Sequence, residues 1–137
     1  MRFLDANIIL RYLTNDDSAK AAACFALLQA VKEGREQLQT TESIVAEAVY
    51  VLSSSRQPYR LSRADIVLSL LPIVRLRGLH VPRKKVVLRA LDIYQVYSHL
   101  DFEDALSVAS MEQSNVREIV SYDTDFDRVA AITRQEP

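Results

Sequence analysis

The chain has 137 residues, 49% of them hydrophobic, and a net charge of −1; that is enough to bury the core of one domain, residues 1–137, and too apolar for a disordered chain. Two glycines and a single cysteine, Cys24, exclude a turn-rich fold, an internal disulfide and a zinc site built from several cysteines. No stretch approaches the ~20 apolar residues of a membrane span and no basic-then-apolar leader opens the chain, so a cytoplasmic protein without a membrane contact is expected.

The small net charge conceals an uneven distribution. Between Arg56 and Arg89 there are nine basic residues against one acid, Asp65, and the remainder holds eight basic against 17 acidic residues. A basic middle with acidic ends suits a protein that holds a polyanion with one part and a metal with another. A solvated face, or a surface for an acidic partner, fits the same counts.

The first thirteen residues, MRFLDANIILRYL, place Phe3, Leu4, Ile8, Ile9 and Leu10 around Asp5, Ala6 and Asn7. This pattern predicts a short buried strand running into a helix. A carboxylate among such residues needs a partner, a hydrogen bond or a cation. Asp5 therefore either caps the helix or faces the crevice at the carboxyl end of a parallel strand, where open α/β sheets bind ligands.

Asn15 to Ser18 supplies capping residues for a helix from about Ala19 to Lys32, stopped by Gly34. Cys24 falls in its alanine-rich part and is expected to be a small core residue. Gln37 to Thr41 is a candidate second strand. Glu42 to Ser53 then reads as a helix whose apolar face is Ile44, Ala48, Val51 and Leu52. Glu47 lies beside that face, which predicts partial burial; the plainer alternative is a surface glutamate whose stem packs on the core.

Ser54 to Leu61, with Pro58, is a polar break. Ser62 and Asp65 make a capping-box-like start for a helix through Leu71, with Pro72 kinking or ending it. Leu76 to Val81 holds a turn at Gly78 and a candidate strand, and Pro82 opens a helix from about Arg83 to Tyr97. The basic region has no repeat and reads as a helical layer within one domain.

Asp101 as N-cap, with Asp104 three residues on, starts a helix running to about Gln113. Asp104 shares a side with Val108 and Met111 and is expected to point inward. Ile119 and Val120 then predict a short strand ending in Ser121-Tyr122-Asp123-Thr124-Asp125-Phe126, so that an acid again follows a buried strand. His80 and His99 stand alone and receive no role.

Asp5, Glu47, Asp104 and Asp123 thus come from two strand ends and two helices. If the strand ends lie together, four carboxylates converge, and such a cluster requires either raised pKa values or a cation. An all-oxygen acidic site suits Mg²⁺ or Mn²⁺. No histidine pair, glycine-rich phosphate loop or Ser-His-Asp pattern competes with it.

FLDANIILRYL, the Glu47 helix with Val49-Tyr50-Val51-Leu52, LDFEDALSVAS and VSYDTDFDRV, in this order and spacing, resemble the PIN domain, with a closer likeness to VapC-type toxins of toxin–antitoxin pairs. The resemblance spans almost the whole chain. It implies an α/β, PIN-like three-layer fold with a central, mostly parallel sheet flanked by helices. It further implies a metal-dependent endoribonuclease that leaves 5′-phosphate and 3′-hydroxyl ends, with Asp5, Glu47, Asp104 and Asp123 binding Mg²⁺ or Mn²⁺. Asn7, Ser121 and Asp125 take supporting positions, Ser121 standing where the family often has Thr. Arg83, Lys84, Lys85 and Arg89 are the candidates for RNA phosphate contact. Implied partners are the RNA substrate, a cognate antitoxin whose tail inserts an Arg or Lys among the acids, and a second copy in a homodimer. The rival classes are a non-catalytic RNA- or antitoxin-binding module and a phosphohydrolase or receiver domain. The latter needs a lysine near the sheet, which the positions of Lys20, Lys32, Lys84 and Lys85 do not provide.

Overall fold

A computed structural model of the chain describes residues 1–54 and 59–137. The predicted break at Ser54 to Leu61 falls partly outside them, together with Arg56 and Pro58. The described residues form a mixed α/β structure with six α-helices and parallel sheets, as a PIN-like fold requires. They divide into two compact units, Met1–Lys84 and Lys85–Pro137.

The first unit opens with β1 (Arg2–Phe3) and α1 (Ala6–Thr14), followed by α2 (Ser18–Lys32), β2 (Leu38–Gln39), α3 (Glu42–Ser53), α4 (Arg63–Val74) and β3 (Leu79–His80). Its strands lie in the order β1-β2-β3, all parallel, with Arg2 opposite Leu38 and Leu38 opposite Leu79. Parallel neighbours need long crossovers, which the helices supply. α1 packs on α2 and α3, and α3 on α4. Leu4, Ile9, Leu28, Val31, Leu38, Leu52, Ile66, Leu70 and Leu79 are buried, as is Cys24.

Local chemistry explains most boundaries. Asp17 caps α2 by accepting the Lys20 N–H, Thr41 caps α3 by accepting that of Ile44, and Ser62 caps α4 by accepting that of Asp65. Gly34 ends the α2 region with φ +78°, a left-handed conformation natural to glycine. Gly78 serves a different purpose: a Cβ there would meet Val31 Cγ1 at 2.9 Å and the Glu36 carbonyl at 3.0 Å, while its own carbonyl accepts the Leu38 N–H at 2.8 Å. Pro72 does not end α4, which runs on to Val74. The proline costs the Leu68 carbonyl its usual donor, and Leu68 is an exposed residue where water can replace it.

The second unit carries most of α5 (Lys84–Val96), then α6 (Phe102–Ser114), β4 (Glu118–Val120), a 3-10 segment Thr124–Arg128 and β5 (Thr133–Gln135). β4 and β5 pair in parallel, with Ile119 opposite Arg134. Tyr94 of α5 meets Phe102 of α6 edge-to-face at 5.9 Å, and Arg89 clasps Glu112 at 2.7 and 3.0 Å. β1 and β4 were both expected to be buried strands; instead Phe3 and Val120 are exposed, and burial in the first motif begins at Leu4. These strands are two and three residues long, too short to bury both faces by themselves.

Candidate active site

The four predicted carboxylates divide between the units: Asp5 and Glu47 belong to the first, Asp104 and Asp123 to the second. In the first unit, the backbone entering Asp5 is fixed from two directions. The Leu4 N–H donates to the Gln39 carbonyl at 2.7 Å, and the Leu4 carbonyl accepts the hydroxyl of fully buried Thr40 at 2.9 Å. Asp5 itself occupies the N-cap position of α1 in an extended conformation, yet its side chain makes no capping hydrogen bond and is exposed. Capping is therefore not what this carboxylate does. Asn7, in the first turn of α1, is also exposed.

Of the two readings of Glu47, the partial burial is not realised and the surface glutamate is. The buried stripe of α3 is Val45, Ala48, Val49 and Leu52, while Ile44 and Val51 are only half-buried. The stripe is a continuous i, i+3, i+4, i+7 set that keeps Ala48 and Leu52 of the predicted face and exchanges Ile44 and Val51 for Val45 and Val49. Glu47 consequently lies on the exposed side.

In the second unit the acids interact. Asp101 caps α6 by accepting the Asp104 N–H at 2.7 Å. Asp104, half-buried in the first turn, has its carboxyl pushed up to about 6, chiefly by burial and then by the charge of Asp101, with Asp123 adding to it. Val108, one turn further, is buried, so the expected inward lean of Asp104 is partly realised. Asp123 caps the 3-10 segment: its Oδ1 accepts the Asp125 N–H at 2.9 Å, and its own N–H donates to Ser121 Oγ at 3.0 Å. Ser121 and Asp125 are half-buried, and buried Phe126 anchors the turn.

Sequence reasoning assigned no role to two side chains that frame this turn. His99 Nε2 lies 3.0 Å from the Asp125 carbonyl. Arg134 bonds the Ser121 carbonyl at 2.9 Å and the Asp127 carboxylate at 3.0 and 3.3 Å. Neither belongs to a short motif; only the Asp-rich turn that they hold is visible in the sequence.

The basic candidates are mostly engaged. Arg83 pairs with Glu42 at 3.1 and 3.2 Å, Arg89 with Glu112, and Lys84 donates to the Leu76 carbonyl at 2.8 Å, where burial pushes its pKa down. Lys85 is exposed.

Within each unit, among the described residues, no three His, Cys, Asp or Glu side chains are grouped to hold a metal. The donor chemistry nevertheless fits a hard divalent cation: every candidate is a carboxylate oxygen, and Asp104 keeps its proton to an unusually high pH, chiefly because it is partly buried and then because Asp101 and Asp123 are near. A cation beside Asp104 would remove that penalty.

The PIN domain family model matches residues 2–132, a span that runs through both units. The chain belongs to the PIN domain family. Such domains are generally nuclease modules, typically dependent on divalent metal ions. No curated protein matches the chain. Among the described residues, no helix is long and apolar enough to cross a membrane.

Proposed function

We propose that this PIN domain is a Mg²⁺- or Mn²⁺-dependent endoribonuclease, the toxin of a type II toxin–antitoxin pair. The observation that carries the reading is the PIN family match over residues 2–132, and the surroundings of Asp104 agree with it. Burial and the neighbouring charges of Asp101 and Asp123 hold its carboxyl up to about 6, so ionising it at neutral pH concentrates negative charge that a divalent cation offsets.

The acids assigned to the metal are Asp5 and Glu47 in the first unit and Asp104 and Asp123 in the second, each offering carboxylate oxygens. Asn7, Ser121 and Asp125 support them by hydrogen bonding, as the bonds within the Ser121–Asp125 turn do for Asp123. Bound there, Mg²⁺ or Mn²⁺ supplies Lewis-acid chemistry, making water more acidic and offsetting the charge of the phosphodiester. Lys85, with Arg83, Lys84 and Arg89, steers the polyanion by charge, the paired members through residual field rather than free donors. In this reading the cognate antitoxin inserts a cation among the same acids, which substitutes for the metal, and two copies of the chain form a homodimer.

The test is cleavage of a mixed pool of structured RNA by the purified chain, with and without Mn²⁺, beside the Asp5→Asn and Asp104→Asn variants. Metal-dependent cleavage that both variants lose supports the nuclease. A folded, antitoxin-free chain that neither cuts RNA nor binds Mn²⁺ replaces this reading with the non-catalytic binding module.

A further inference from the structure

Arg134 in β5 has a side chain only 14% exposed. The donors of its guanidinium are engaged by acceptors. They are matched chiefly on one turn. Nη1 donates to the Ser121 carbonyl at 2.9 Å, Nε and Nη2 clasp the Asp127 carboxylate at 3.0 and 3.3 Å, and Nη1 also reaches Glu136 at 3.1 Å.

The first two contacts lie on either side of Asp123 in sequence, two residues before it and four after. Arg134 is itself held by the β4–β5 register, with the Ser121 N–H on the Gln135 carbonyl at 2.9 Å and the Thr133 N–H on the Arg117 carbonyl at 2.8 Å. The guanidinium therefore joins both ends of the turn to a strand. Inside the turn, Ser121 Oγ and the Asp125 N–H fix Asp123 at its amide and at Oδ1.

From this arrangement we infer that Arg134 is the positioning residue for Asp123, holding its second oxygen, Oδ2, ready for a cation. The inference rests on the proposed assignment of Asp123 to the metal. A cationic side chain near a metal would ordinarily oppose binding, but Asp127 and Glu136 offset this charge locally. Arg134 thus supplies geometry without competing for the site. The task needs a planar fork with several donors in fixed directions, which lysine lacks.

The experiment uses the metal-free 137-residue chain with three variants: Arg134→Met, Arg134→Lys and Asp127→Asn. Amide hydrogen exchange over residues 121–128 reads the turn without metal. Titration with MnCl₂, followed by electron paramagnetic resonance of the free ion, reads affinity. Cleavage of structured RNA gives kcat and KM separately.

In Arg134→Met the turn should exchange faster, Mn²⁺ affinity should fall about 10–100-fold, and kcat should fall with KM for RNA unchanged. Arg134→Lys should recover only part of the affinity. Asp127→Asn, which keeps the bond to Ser121, should show a smaller loss of the same sign. A folded Arg134→Met chain with wild-type Mn²⁺ affinity and kcat overturns the role of Arg134 alone; if that variant does not fold, unchanged affinity in Asp127→Asn does the same. A wild-type chain that binds no Mn²⁺ overturns the nuclease reading and this inference with it.

Discussion

Asp104 binds its proton more tightly in the folded chain than in the unfolded one, with a folded value of about 6 against an ordinary 3.8. Its contribution to stability is therefore full below the ordinary value and is lost as pH rises through about 6. Metal-free protein should lose stability across this window, and Asp104→Asn should raise it at pH 7 by about 1 kcal/mol or less, since solvent screens a half-exposed group. Denaturant melts in chelator at pH 4 and pH 7 check the sign; a variant no more stable at pH 7 removes the charge penalty. Thr40 offers a second residue-scale test. Thr40→Val leaves the buried Leu4 carbonyl without its hydroxyl partner, a loss of about 1–3 kcal/mol that a urea titration resolves. The sequence displayed Asp101 and Asp104 clearly because a capping arrangement is local, three residues wide. It did not display the direction of Glu47, because Ile44 and Val51 are as apolar as Val45 and Val49, so the pattern alone does not say which pair joins Ala48 and Leu52 in the core. His99 and Arg134 were hidden for another reason: the turn carbonyls that they reach, Asp125 and Ser121, lie 26 and 13 residues away, beyond any local pattern.

At the scale of elements, the helices were legible and the strands less so. α3 follows its expected bounds, and α2, α5 and α6 differ from theirs by a residue or so, because each has a capping group or a breaker beside an apolar run. β5 and the 3-10 segment went unpredicted. Thr133–Gln135 is short, half in solvent and without alternating apolar residues, and five residues of Thr, Asp, Phe and Arg read as turn chemistry rather than helix. Gly78 shows what a connection can demand. A Cβ there would strike Val31 and the Glu36 backbone, so Gly78→Ala should destabilise the first unit by about 1–3 kcal/mol, measured as a lower urea midpoint with unchanged slope. An unaffected midpoint would mean that β3 and the end of α2 separate without cost.

For the whole molecule, charge is the property that composition exposed best. The sequence carries nine basic residues between Arg56 and Arg89, of which Arg83 is paired with Glu42 and Arg89 with Glu112. Neutralising Arg83, Lys84 and Lys85 together should weaken RNA binding and lower the slope of log K against log salt by up to about 2, measured by fluorescence anisotropy over a salt series. An unchanged slope assigns the patch to another partner. Among the described residues every strand pair is parallel, so these pairs are not hairpins, and their pairing must wait for the intervening segments to close. Cys24 offers a direct view of such opening. It is the chain's one thiol and is 5% exposed within α2, so a thiol-reactive dye reaches it only when that helix lifts away. The rate of labelling in ordinary buffer is thus a built-in clock for the opening of the first unit, requiring neither denaturant nor an engineered reporter.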